Sequence, residues 1–362
     1  MRRRHFHAFA PICPVCAGGG RGEHALHLAR VHDERDGDVR AGILHCSEPG
    51  CRHEYPIIDG IPLIVPDLRR LLAERGVELM LRDDLDADLE SLIGDALGPE
   101  SWFDSVRQVV STYGWDGYAD LDPAEATPSP AGPVPGAARR CLDRLIALAA
   151  PERVTRVLDL GCAAGRTSFE LAARYPDGLV LGVDLHLGLL RLAQHASAGR
   201  VAYPRRRIGI VYDRRRFPVT LAGAERVDFW ACDALALPFR GAAADLAVAL
   251  NLLDCVADPP RLLASLAAVV EPGGRVLLAT PYDWSTRATP LETWIGGHSQ
   301  RGEHAGSGEA FLRSLLGGAH ARAAAGLTLL AEEPDFPWQT RLHERSAVTY
   351  RTHLLAVARG VG

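Results

Sequence analysis

Between residues 150 and 285, short apolar runs alternate with stretches whose apolar residues recur at helical spacing. Residues 157–160 and 179–183 are apolar enough for strands covered on both faces. Residues 227–235 and 244–251 supply a third and a fourth strand. A fifth, 275–280, follows a turn at Pro272, Gly273 and Gly274. Helices are expected from near Thr167 and over about residues 259–270. This rhythm predicts an α/β fold with a doubly wound, mostly parallel sheet, and ligands at the carboxyl ends of its strands. Upstream, residues 67–112 place Leu68, Leu71 and Leu72, then Leu85, Leu89, Leu92 and Ile93, at the spacing of two or three amphipathic helices. The acidic run Asp83, Asp84, Asp86, Asp88 and Glu90 reads as a solvated helix face. An aromatic cluster, Tyr113, Trp115 and Tyr118, comes next, and residues 127–135 form a Pro-rich linker.

The first strand of the series runs directly into Gly161-Cys162-Ala163-Ala164-Gly165. Glycines there remove Cβ atoms where a ligand must come close to the backbone, and the following helix N-terminus offers free amide groups to a polar or anionic ligand. Asp184 ends the second strand, at the roughly twenty-residue distance where an acid can accept hydrogen bonds from ribose hydroxyls. Asp233 lies just past the third strand.

Residues 137–285 resemble a class I S-adenosylmethionine-dependent methyltransferase. The resemblance rests on the D-x-G-x-x-x-G spacing of Asp159, Gly161 and Gly165, on Asp184, on Asp233 within C-D-A-L-A-L-P-F, and on the E-P-G-G-R-V-L-L string from Glu271 to Leu278. It implies a Rossmann-like sheet and S-adenosylmethionine as cofactor. Asp159, Gly161, Cys162, Gly165, Asp184, Leu185, Asp233, Ala234 and Asn251 would then surround that cofactor, with Asp233 near the adenine. Segments ahead of the first strand often fold over the cofactor in such enzymes. Tyr113, Trp115 and Tyr118 therefore have two readings, as a lid over the pocket or as packing between a helical spacer and the main domain.

Four of the eight cysteines form two knuckles, Cys13-Pro14-Val15-Cys16 and Cys46 with Cys51. Each tight turn points two thiolates at one spot, and two such turns complete a closed tetrahedral Zn²⁺ shell of structural type. In so small a module, metal binding would supply much of the folding free energy. His45 and His53 flank the second knuckle and read as polar surface. Residues 53–65 then give two short strands around the Asp59-Gly60 turn. The stretch 11–66 resembles the zinc-ribbon proteins that activate tRNA and protein methyltransferases, which implies a scaffold beside the catalytic unit. The expected organisation is a ribbon over 1–66, a helical spacer and linker over 67–136, and a methyltransferase domain over 137–362.

Composition adds limits. The 362 residues, 47% hydrophobic, suffice for two domains, and the formal charge is −5. No lysine occurs, so all 40 basic residues are arginine. No apolar run is long enough for a bilayer, and a secretory core is missing, so a soluble cytoplasmic protein is expected. A sulfonium already activates its methyl group, which leaves alignment and proton removal to the protein. Residues after the fourth and fifth strands are the candidates for this work. Asn251 and Asp254 are candidates to face substrate, Asp254 or Asp283 could accept a proton from, or orient, a nitrogen nucleophile, and Tyr282 and Trp284 could stack on a planar or cationic group. Residues 280–297 also resemble methyltransferase domains of ovothiol-type pathways, through Pro281, Tyr282, Trp284, Thr289, Pro290, Glu292, Trp294, Gly296 and Gly297. That implies methylation of an imidazole or related small heteroaromatic substrate. Two alternatives stand beside it. One is an rRNA or tRNA base methyltransferase, using the ribbon and the charged hairpin of Arg205 to Arg207 and Arg214 to Arg216. The other is a catalytically inactive, cofactor-binding adapter. Oligomeric state is not legible.

Overall fold

A computed structural model describes residues 1–68, 70–71, 97–125, 132–318 and 320–360. The expected helices around Leu85 to Ile93, with their acidic face, lie outside the described residues, as does most of the linker.

Thirteen strands are described. β1 (Leu26–Arg35), β2 (Asp38–Cys46), β3 (Glu54–Ile58) and β4 (Ile61–Ile64) come from the N-terminal module. β5 (Arg156–Leu160), β6 (Leu179–Asp184), β9 (Val227–Cys232), β10 (Ala244–Leu250) and β11 (Val270–Thr280) are the five runs expected from the sequence. β7 (Arg200–Ile208) and β8 (Val211–Pro218) make a separate hairpin that carries the arginine clusters. β12 (Leu327–His343) and β13 (Ser346–Arg359) are long C-terminal strands with no counterpart in the sequence expectations.

Eleven of these strands form one sheet, in the order β1-β2-β3-β4-β9-β6-β5-β10-β11-β13-β12. The segment β9-β6-β5-β10-β11 is parallel throughout, and β13 enters antiparallel to β11. Strand alternation sends neighbouring residues to opposite layers. Leu158 and Leu160 join a core with Leu262, Leu266, Leu312 and Leu315, from the helices Pro259–Val269 and Gly308–Leu316. Val157 joins Leu142, Leu145, Phe169 and Leu190, from the helices Ala137–Ala149, Arg166–Arg174 and Leu187–Ser197. Burial on both faces explains why these strands read as unbroken apolar runs.

The N-terminal module is continuous with the catalytic sheet. β4 pairs in parallel with β9, Leu63 opposite Ala231 and Ile64 opposite Cys232. Asp228 reinforces the join from β9. Its buried carboxylate accepts from the Arg2 backbone N–H at 2.7 Å and the Trp230 indole N–H at 3.0 Å. Phe6 and Phe9 pack on Trp230 with ring centroids 6.5 Å away, and Phe9 lies 5.9 Å from Phe239. Aromatic pairs of this kind contribute roughly 0.5–1.5 kcal/mol each beyond area burial. Among the described residues, no helix is long and apolar enough to cross a membrane.

Candidate functional site

The expected cleft lies outside the carboxyl ends of β6, β5, β10 and β11, where a doubly wound sheet takes its ligands. Thr167 and Ser168, in the first turn of the Arg166–Arg174 helix, donate their hydroxyls to Asp159 Oδ2, both at 2.6 Å. Asp159 is 2% accessible, so its carboxylate ties strand to helix. Burial pushes its pKa up to about 6 against those two donors, and Asp184 adds to the rise. Asp184 accepts from the Ala163 N–H at 2.9 Å and the His186 N–H at 2.8 Å, which fixes the turn and the start of the next helix. Leu185 beside it leaves 36% of its surface exposed. Cys162 is buried, and its thiol pKa is raised by that burial. Asp233 caps the Leu235 N–H at 2.8 Å, and Ala234 next to it is buried.

The glycines of the turn have a packing role as well as a conformational one. A Cβ on Gly161 (φ +67°) would sit 2.9 Å from Leu252 Cδ1. One on Gly165 (φ +81°) would sit 2.6 Å from Phe229 Cζ and 2.7 Å from Ala193 Cβ. The expectation that both spaces serve a ligand is thus amended, because protein atoms fill the space at Gly165. Gly182, which the sequence reading passed over, is pressed against the same Phe229 ring.

Asn251 follows β10 in the left-handed region at φ +50°, with its N–H on the Ala279 carbonyl at 2.8 Å. Its Oδ1 is buried with no partner among the described residues. Asp254 is 3% accessible; Oδ2 accepts from the Asp283 N–H at 2.8 Å, and Oδ1 has no partner among the described residues. Burial lifts the Asp254 pKa to about 6 against its backbone donors and the nearby Thr280 hydroxyl, which lies outside hydrogen-bond geometry to Oδ1, and the charge of Asp283 adds to the lift. Asp283 itself is exposed. Trp284 stacks on Trp294, with centroids 5.9 Å apart and planes at 19°, and it also packs against the core. Tyr282 (φ +56°) turns its hydroxyl to His353 Nδ1 at 2.7 Å. His353 Nε2 lies 3.0 Å from Glu332, which Arg313 holds at 3.0 Å. This chain was invisible in the sequence because β11, β13 and β12 become neighbours only in the sheet. The Tyr282 hydroxyl is therefore engaged with β13.

The aromatic cluster divides between its two readings. On the helix Trp102–Tyr118, which Ser101 caps, Tyr118 is fully buried and donates to the Ala164 carbonyl at 2.7 Å; Trp115 is also buried. Tyr113 is 44% exposed. Its hydroxyl pKa is raised by the surrounding protein and further by Cys255, Asp184, Tyr350 and Asp254. Tyr350 of β13 and Cys255 also belong to the cleft, and neither was singled out from the sequence. Cys255 opens to solvent, yet enclosure by protein and then Asp254, Asp184 and Asp283 push its thiol up to about 12, so it stays protonated.

Two hairpins meet on the Trp102–Tyr118 helix, where the Arg206 N–H donates to Ser111 Oγ at 2.8 Å and Arg341 lies over the Trp115 ring. Glu344, in the β12–β13 turn, donates its N–H to the Arg207 carbonyl at 3.1 Å, and Arg341 donates to the Arg206 carbonyl at 3.0 Å. Arg205 pairs with Glu125, Asp213 and Glu344, and Arg215 forms a two-pronged pair with Asp122 at 2.6 and 2.7 Å. The sequence suggested a charged hairpin, and these arginines are engaged internally.

The sheet order and the strand-end acids agree with a match to a methyltransferase-domain family model over residues 136–318. The chain belongs to this methyltransferase family. Residues 136–318 form its S-adenosylmethionine-dependent methyltransferase domain. The chain is similar to the O-methyltransferase cnsE of Penicillium expansum, 31% identical over 129 residues that cover 36% of this chain and 39% of that protein. It is also similar to the demethylmenaquinone methyltransferase of Roseiflexus castenholzii, 32% identical over 131 residues, 36% of this chain and 44% of that one. The chain thus spans less than half the length of these curated relatives. Among solved structures, a complex of the Haloferax volcanii Trm112 methyltransferase activator with a methyltransferase has 19% identity and a TM-score of 0.38, covering 62% of this chain and 89% of that one.

Away from this cleft, the sulfurs of Cys13, Cys16, Cys46 and Cys51 are all buried and lie within 4.8 Å of one another. Cys13 and Cys51 are 3.7 Å apart, Cys16 and Cys46 3.8 Å. A tetrahedral shell with metal–sulfur bonds of about 2.3 Å has edges of about 3.8 Å, so the spacing fits zinc. The Tyr55 hydroxyl lies 3.1 Å from Cys13, and His53 Nδ1 lies 3.3 Å from Cys51. Those positions suit second-layer donors to thiolates. His45 stacks edge-on against His27.

Proposed function

We propose that this protein transfers the methyl group of S-adenosylmethionine to a ring nitrogen of a small heteroaromatic acceptor, an imidazole or histidine-like compound. The observation that carries this reading is Asp254. It is a buried carboxyl just past β10, one of whose oxygens has no donor among the described residues, and its pKa of about 6 lies close to that of an imidazole. The segment resembling imidazole methyltransferases lies against it. Thr289 Oγ1 donates to the Asp254 carbonyl at 3.1 Å and to the Val256 carbonyl at 2.7 Å.

In this reading Asp184 and Asp233 grip the nucleoside, Leu185 and Ala234 give its base an apolar edge, and Asn251 Oδ1 accepts from the amino group. Bound S-adenosylmethionine supplies an activated methyl. Asp254 holds the ring N–H, which leaves the lone pair of the other nitrogen directed at the methyl carbon, and takes up the ring proton as transfer completes. The internal pairing of Arg205 and Arg215 argues against a phosphate-binding surface for RNA at the β7–β8 hairpin. Residues 1–66 are read as a ribbon in which Cys13, Cys16, Cys46 and Cys51 hold a structural Zn²⁺. Residues 67–136 act as spacer and partial lid, and 137–362 as the catalytic unit.

The test uses S-adenosylmethionine labelled in its methyl group with histamine and histidine as acceptors, located by mass spectrometry. Label on an imidazole nitrogen is expected. Intact binding of S-adenosylhomocysteine with no label on either ring would remove this acceptor class.

A further inference from the structure

The acceptor side of the cleft carries charge of one sign. Asp184 ends β6, Asp254 follows β10 and Asp283 follows β11; the Asp283 N–H donates to Asp254 Oδ2 at 2.8 Å, and Tyr113 and Tyr350 lie within reach of these charges. Burial leads the shifts of the side chains there, and the carboxylates among the charges behind it act in the same direction. Tyr350 is pushed up to about 12 by burial, by the charge and hydrogen bond of Asp283, and by Asp254. Cys255 responds to burial and then to all three carboxylates. A separate observation points to a missing ligand. Asp254 is 3% accessible and its Oδ1 lacks a donor among the described residues. A buried carboxylate oxygen without a donor is costly, and a bound group that supplies one removes that cost.

We propose that the acceptor is a cationic amine without a carboxylate of its own, its ring N–H on Asp254 and its side-arm ammonium on the exposed Asp283. This rests on the reading of the cleft as a methyl-acceptor site. A ligand bearing a carboxylate would bring a negative charge among three others, whereas an ammonium meets the Asp283 carboxylate. Of the two acceptors named above, histamine is therefore favoured over histidine.

The experiment is isothermal titration of the full chain saturated with S-adenosylhomocysteine, using two matched pairs: histamine against imidazolepropionate, and phenethylamine against phenylpropionate. Each amine is expected to bind about tenfold or more tightly than its acid. Asp283→Asn should weaken amine binding by about fivefold and leave S-adenosylhomocysteine affinity unchanged. Equal affinities within either pair, binding by none of the four, or an unchanged amine affinity in Asp283→Asn overturns the proposal. The second pair separates this result from the acceptor assignment. Amine preference in both pairs without methylation of histamine keeps the charge rule and discards the imidazole.

Discussion

A Cβ at Gly165 would press on Phe229 and Ala193, with the backbone already at φ +81°. Gly165→Ala should therefore lower stability by roughly 1–3 kcal/mol in denaturant unfolding, through overpacking and backbone strain. Unchanged stability would show that the packing account is wrong. Asp254 makes the opposite kind of prediction. Its folded pKa, about 6, lies above the ordinary carboxyl value, so ionisation is disfavoured in the folded state. The resulting destabilisation is absent below the unfolded pKa near 4 and complete above the folded value. Asp254→Asn should gain up to roughly 3 kcal/mol at pH 8, little at pH 4, and lose methyl transfer. Denaturation curves of both proteins at the two pH values decide it; an equal difference at both would reject the ionisation account.

At the scale of elements, the joined hairpins pack on the Trp102–Tyr118 helix, which carries Tyr113. Arg205 faces Glu125, Asp213 and Glu344, so Arg205→Glu replaces three attractions with repulsions. Limited proteolysis should then cut the β7–β8 or β12–β13 turn faster, and S-adenosylhomocysteine should dissociate several-fold faster. Identical cleavage rates would show that the hairpins do not depend on this arginine. The five parallel strands were legible because each is buried on both faces and reads as an apolar run bounded by turn residues. β12 and β13 were missed. Their outer halves alternate with charge, as in Glu332, Glu333, Asp335 and Arg341, and their pairing depends on β11.

For the whole molecule, the edge of the catalytic sheet is a strand of the cysteine module. The melting temperature should fall by several degrees when a strong chelator is added or when Cys13→Ser removes one ligand. S-adenosylhomocysteine binding should weaken in step, since β9 lies between β4 and β6 and leads into Asp233. Metal analysis should return about one zinc per chain. Zinc-free protein with unchanged melting would separate the module from the sheet energetically.

The sequence by itself determined the local, chain-neighbouring features: two cysteine knuckles, a strand running into a glycine turn, and acids at strand ends. Each is set by spacing within a few residues, and spacing survives in one dimension. The tertiary structure alone decided how these parts are used. It turned Asp159 inward onto Thr167 and Ser168, filled the space beside Gly165 with Phe229, and engaged Tyr282 with His353. It also brought Asp184, Asp254, Asp283, Tyr113 and Tyr350 together. Those relations join strands far apart along the chain, and strand order and side-chain direction arise only when the sheet closes and both of its faces are buried.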